Sequence, residues 1–105
     1  MVAAMATMKG RAEDMAGLAK VAKETMDDWL REYEGYRGLI VFTDEPNGRS
    51  RVVTLWETRE DELRARQSRG AMRDQVALAA GMTVEGMEVY DVPTLEVLLE
   101  SPPPA

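Results

Sequence analysis

Cysteine and histidine are both absent from the 105 residues. Without a thiolate or an imidazole the chain cannot build a Cys nucleophile, a Ser-His-Asp triad, a disulfide, a Cys/His zinc site or a His-ligated haem. Carboxylates, Arg, Lys, Tyr, Trp, Thr and Ser are what remains for chemistry. Lysine is scarce, 3 against 10 Arg, and 19 acidic against 13 basic side chains leave a net charge of −6. That sign repels a phosphate backbone and the Arg residues do not cluster, so nucleic acid is not an expected partner. Long hydrophobic runs are missing as well. Met1–Ala6, Leu39–Phe42 and Val76–Ala80 fall far short of the roughly 20 residues that span a bilayer. No basic segment precedes an apolar one at the start, so a signal peptide is not expected and the cytoplasm is. The length suits a single domain.

Hydrophobic spacing supplies the elements. Val2–Met8 reads as a strand ending at Lys9-Gly10, although its alanines are weak strand formers. From Glu13 to Tyr33 the apolar residues Met15, Leu18, Ala19, Ala22, Met26, Trp29, Leu30 and Tyr33 recur every three or four positions, which predicts an amphipathic helix. Gly35 suits the left-handed position just beyond it. Tyr36–Asp44 and Arg51–Glu57 form a predicted hairpin around the turn Glu45-Pro46-Asn47-Gly48. Thr58, with an acidic residue three positions on, caps a helix through about Gln67, and Ser68-Arg69-Gly70 interrupts it. Ala71–Ala80 reads as a further helix capped by Gly81, Val84–Val92 as a strand closed by Pro93, and Thr94–Glu100 as a short last strand with Leu95, Val97 and Leu99 alternating. The order β-α-β-β-α-α-β(-β) is that of an α+β, ferredoxin-like domain over residues 1–100, with one four-stranded antiparallel sheet, helices on one face, and a Pro-rich extended tail at 101–105.

One strand is apolar on both sides. By alternation Tyr36, Ile40 and Phe42 point one way and Leu39 and Val41 the other. A two-layer domain normally leaves one sheet face polar. Helices on one face and a second copy of the chain on the other resolve this, so a homodimer is expected.

Two segments carry a family likeness: Gly35-Tyr36-Arg37-Gly38-Leu39 and Leu55-Trp56-Glu57-Thr58-Arg59-Glu60-Asp61. They resemble the dimeric α+β barrel superfamily, and over roughly Val2 to Val92 the chain is similar to its antibiotic biosynthesis monooxygenase group. The resemblance implies two sheets packed face to face into a barrel across a dimer. It also implies cofactor-independent oxygenation of polycyclic phenols to quinones. The haem-degrading branch holds haem through a His, which this chain lacks, so no haem is expected. In the quinone-forming branch a Trp on the third strand is accompanied by an Asn four residues before and a Tyr six residues after. Here those positions are Trp56, Val52 and Glu62.

The substrate-binding candidates are therefore Trp56, Thr54, Val52, Arg73 and Tyr36. Val52, Thr54 and Trp56 share one strand face and line a cavity if that face is the barrel interior; the competing reading of Trp56 is core packing. Arg69 and Arg73 could supply positive charge to an enolate or phenolate, against the reading of exposed charges paired with Asp74 or Glu62. Tyr36 and Tyr90 are candidates to orient a phenol, or are half-buried packing. The methionines are more simply core filling than a ligand lining. Asp27-Asp28 and Glu60-Asp61-Glu62 read as solvated helix faces rather than a metal site, because consecutive helix residues diverge. The expected activity is a cofactor-independent monooxygenase or related small enzyme acting on an aromatic or polyketide-like molecule held in the dimeric barrel. The alternative is a non-catalytic dimeric small-molecule-binding or accessory module. Catalytic residues are not assignable from the sequence.

Overall fold

The computed structural model describes residues 1–68 and 81–98. Strands β1 (Val2–Lys9), β2 (Tyr36–Asp44), β3 (Arg49–Trp56) and β4 (Thr83–Asp91) form one antiparallel sheet in the order β2-β3-β1-β4. This is the expected ferredoxin-like α+β arrangement. The alanine-rich β1 holds as a strand because it is central: Ala4 pairs with Thr54 of β3 on one side and with Val89 of β4 on the other. Tertiary pairing overrides its weak propensity.

Helix α1 begins after a 3-10 turn (Ala12–Asp14) and runs as Met15–Val21, a π-helical stretch Ala22–Met26, and Asp27–Leu30. Its buried stripe is Met15, Leu18, Ala22, Met26 and Leu30. Three successive four-residue steps would rotate that stripe by about 40° each on an ideal helix of 3.6 residues per turn. The wider π turn absorbs the drift and keeps Ala22, Met26 and Leu30 over the sheet. Past the helix, Gly35 takes φ 82°, and a Cβ there would strike the Asp61 side chain. The hairpin turn is a 3-10 turn, Glu45–Asn47, closed by Gly48 at φ 62°, so β3 starts two residues earlier than the spacing suggested. The second helix, α2, covers 59–68, with Thr58 Oγ1 accepting the Asp61 N–H at 3.0 Å as the expected cap.

The core lies between the sheet and the helices. Val2, Ala4, Ala6 and Met8 of β1 and Val52 and Trp56 of β3 meet the α1 stripe and Ala65 of α2. The opposite face of the sheet is open and mixed in character: Ile40 and Phe42 are 41% and 52% exposed beside buried Val53 and half-buried Leu55, and Arg51 and Glu88 lie on the same side.

Two expectations are corrected. Tyr36 does not share a side with Ile40 and Phe42: β2 has an irregular register between Tyr36 and Gly38, so Tyr36 pairs with Trp56 while Gly38 pairs with Leu55. This bulge turns Tyr36 to the helix-covered face with Leu39 and Val41. The predicted last strand is not formed at 94–98, which is irregular. Alternation marks a sequence able to pair, but a strand exists only where another edge meets it, and Pro93 withholds an N–H at its start. Leu99, Glu100 and the 101–105 tail lie outside the described residues, as does the predicted helix Ala71–Ala80. Among the described residues no helix is long and apolar enough to cross a membrane.

Candidate functional site

Alternation along β3 sends Ser50, Val52, Thr54 and Trp56 to the face under α1, where none is more than 4% exposed. This is the helix-covered face and not the open one, so the condition attached to them, that their face be the interior between two sheets, is not met in the single chain. Period two groups the residues correctly but cannot tell which face the helices cover.

Beneath α1 is a void of about 20 Å³, room for one water. Its walls are Ala4, Ala6 and Met8 of β1, Met26 of α1, Val52 and Thr54 of β3, and Met87 of β4. Three flexible methionine side chains make much of that wall, so it can be reshaped by rotamer changes at modest cost. Among the described residues its polar member is Thr54. The Thr54 Oγ1 accepts the Trp56 indole N–H at 2.9 Å, which leaves the hydroxyl its own proton to donate.

Trp56 itself is fully buried and is part of the core. Its ring meets Tyr36 edge-on at 5.6 Å and Tyr33 at 6.5 Å, and Tyr33 meets Trp29 at 6.3 Å. Trp56 therefore positions Thr54 and backs the site. Val52 and Thr54 face the void, and Tyr36 does not.

Tyr36 has another task. Its hydroxyl donates to Asp27 Oδ1 at 2.8 Å, and Arg31 Nε donates to Asp27 Oδ2 at 2.9 Å. Burial and the adjacent Asp27 carboxylate push the Tyr36 phenol well above its ordinary range, while the Tyr36 and Arg31 hydrogen bonds hold Asp27 below the usual carboxylate range. Asp27 was missed as a functional residue because its pairing with Asp28 reads as a solvated face. Its i,i+4 spacing to Arg31 was the available signal.

Glu62, at the position where quinone-forming relatives carry a Tyr, is 1% exposed rather than solvated. It shares the inward side of α2 with Ala65, and Arg66 Nε sits 3.0 Å from its Oε1 in an ion pair whose angle is poor for a hydrogen bond. Tyr90 lies on the open face and bonds Glu88. Arg69 and Arg73 are outside the described residues. Among those described, no group of three or more acidic side chains converges to hold a metal.

The fold is shared with solved structures of low sequence identity. A Deinococcus radiodurans protein assigned to antibiotic biosynthesis monooxygenases superposes with TM-score 0.67 at 18% identity over 94% of this chain and 99% of that one. The monooxygenase ActVA-Orf6 of Streptomyces coelicolor, solved with nanaomycin D, gives 0.65 at 15% identity over 95% and 92%. SnoaB, a cofactor-independent oxygenase from Streptomyces nogalater, gives 0.60 at 14% identity over 95% and 97%. No curated protein sequence matches the chain. The family model for antibiotic biosynthesis monooxygenases matches residues 1–78, most of the chain. The chain belongs to the antibiotic biosynthesis monooxygenase family.

Proposed function

We propose that this protein is a cofactor-independent monooxygenase that takes a small polycyclic phenol between its sheet and α1, against Thr54. The observation that carries the reading is the hydroxyl of Thr54, fixed by Trp56 and, among the described residues, the polar point on an apolar, methionine-rich wall. Such a wall excludes water, and the Thr54 O–H can donate to a ligand oxygen at one defined place. ActVA-Orf6 and SnoaB, which share the fold, support this class of ligand and of chemistry.

The substrate supplies the electrons. A phenolate passes its charge into the ring, the electron-rich carbon reduces O₂ and forms a C–O bond, and loss of the ring proton with cleavage of the O–O bond releases water and leaves a quinone. Atoms balance as phenol plus O₂ giving quinone plus water. The protein contributes the dry wall and the hydrogen bond at the phenolate oxygen, which weights the ring position opposite.

The assembly we propose is a cytoplasmic homodimer joined through the open sheet faces, without haem. Ile40 and Phe42, with the half-buried Leu55 beside them, form the apolar surface it would cover. One observation favours a second reading, a binding module without turnover: among the described residues the void is lined by no ionisable group that could serve as a base. Oxygen consumption with polycyclic phenols, without added cofactor, decides between the two. Uptake lost in Thr54→Val supports the enzyme, and binding without uptake supports the module.

A further inference from the structure

Outside the void, between α1 and the edge strand β2, runs a groove made of two clefts of about 460 and 300 Å³ that share Asp27, Arg31 and Gly38. Its floor includes Ala22, Leu39 and Val41. Leu39 pairs directly with Thr54, and Val41 with Val52. One strand spacing, about 4.8 Å, therefore separates the groove from the void. On the helix side the π-helical stretch Ala22–Met26 starts with a groove residue and ends with a void residue. Groove and void are lined by neighbouring residues of the same helix and the same sheet.

The groove holds a local excess of positive charge in an acidic protein. Lys23, Arg31 and Arg37 border it; Arg31 is paired with Asp27 and Arg37 with Glu57, so the excess rests on Lys23, while the chain as a whole carries −6. Across its end the Tyr36–Asp27–Arg31 hydrogen bonds pin α1 to β2.

We infer that this groove is the port through which a flat aromatic anion, a phenolate or aromatic carboxylate, reaches Thr54, and that the Tyr36–Asp27 hydrogen bond is its latch. The inference rests on the pocket reading above and adds a requirement to it. The described lining of the void offers no base, so on this proposal the substrate arrives already deprotonated, and a cationic mouth favours that form by steering. Release of the latch frees α1 at its π turn, and the methionines yield as the ring enters.

The latch is tested without ligand. In a Trp29→Phe background Trp56 is the only indole, and its acrylamide quenching reads access to the interior. Adding Tyr36→Phe should raise the quenching constant about three- to tenfold, the scale of one lost hydrogen bond, at temperatures well below melting. Unchanged quenching, or a rise that only tracks the unfolded fraction, overturns the latch. The port is tested with 1-hydroxy-2-naphthoate and its uncharged counterpart 1-naphthol in stopped flow. The naphthoate association rate should fall severalfold in Lys23→Glu and with added salt, while that of 1-naphthol stays constant. Naphthoate binding at a rate indifferent to both overturns the port and leaves the pocket standing. If neither compound binds, the pocket reading and the port both fail, and the quenching result still decides the latch.

Discussion

Trp56 hands its indole N–H to the hydroxyl of Thr54, two residues back on the same face of β3, at 2.9 Å in a fully buried setting. The pair satisfies the largest side chain of the core and aims a hydroxyl at the void under α1. Thr54→Val keeps the shape but strands a buried N–H, a loss of about 1–3 kcal/mol. Urea denaturation should show a lowered midpoint with an unchanged slope, together with weaker phenol binding. A variant as stable as the parent would mean that the bond is dispensable.

Tyr36 carries a pH signature. Its phenol is held above the ordinary value of 10.0 by burial and by Asp27, so its contribution to stability is complete below pH 10 and lost as pH rises through the folded value. Asp27 runs the other way: its carboxyl lies below the ordinary 3.8, so its contribution is present above that pH and lost as pH falls through the folded value. Phenolate absorbance at 295 nm should show a late-titrating tyrosine that disappears in Tyr36→Phe. Full titration of the folded parent by pH 10 would contradict the assignment.

The buried ion pair on α2 makes an ordering of variants. Arg66→Ala leaves the Glu62 carboxylate buried without its cation and should cost about 3 kcal/mol, whereas Glu62→Leu lets Arg66, 40% exposed at its side chain, turn to water and should cost less. Thermal melts of both variants check the order. The reverse order would place the cost in the arginine rather than in the carboxylate.

The open face bears on assembly. Phe42 is 52% exposed beside Ile40, and a dimer closed over them would bury both. Sedimentation equilibrium at micromolar concentration should give twice 11.7 kDa for the parent and a folded monomer for Phe42→Glu. A parent that runs as a monomer contradicts the homodimer.

The ferredoxin-like order and most element limits were legible in the sequence because hydrophobic period tracks pairing and packing closely. The bulge at Tyr36 was not: one extra residue in β2 changes its side without leaving a mark on composition. The group Val52, Thr54 and Trp56 was legible, yet its facing was not, since both sides of the hairpin are apolar and alternation is blind to which one a helix covers. Glu62 and Asp27 were read as solvated because acidic runs usually are. Glu62 is buried beside Arg66, and Asp27 sits half-exposed between Arg31 and Tyr36; an arginine four residues on is a spacing visible in the sequence but common on exposed helices too.

The most direct test of the pocket uses the methionine methyl groups. Met8, Met26 and Met87 line the void under α1, while Met5 alternates to the opposite face of β1. With 13C-methyl methionine labelling and 1-hydroxy-2-naphthoate as titrant, the expected result is shifts at Met8, Met26 and Met87 with Met5 unmoved, all reduced together in Thr54→Val. Shifts confined to Met5, with those three silent, would place the ligand on the open sheet face and contradict a site between sheet and helix.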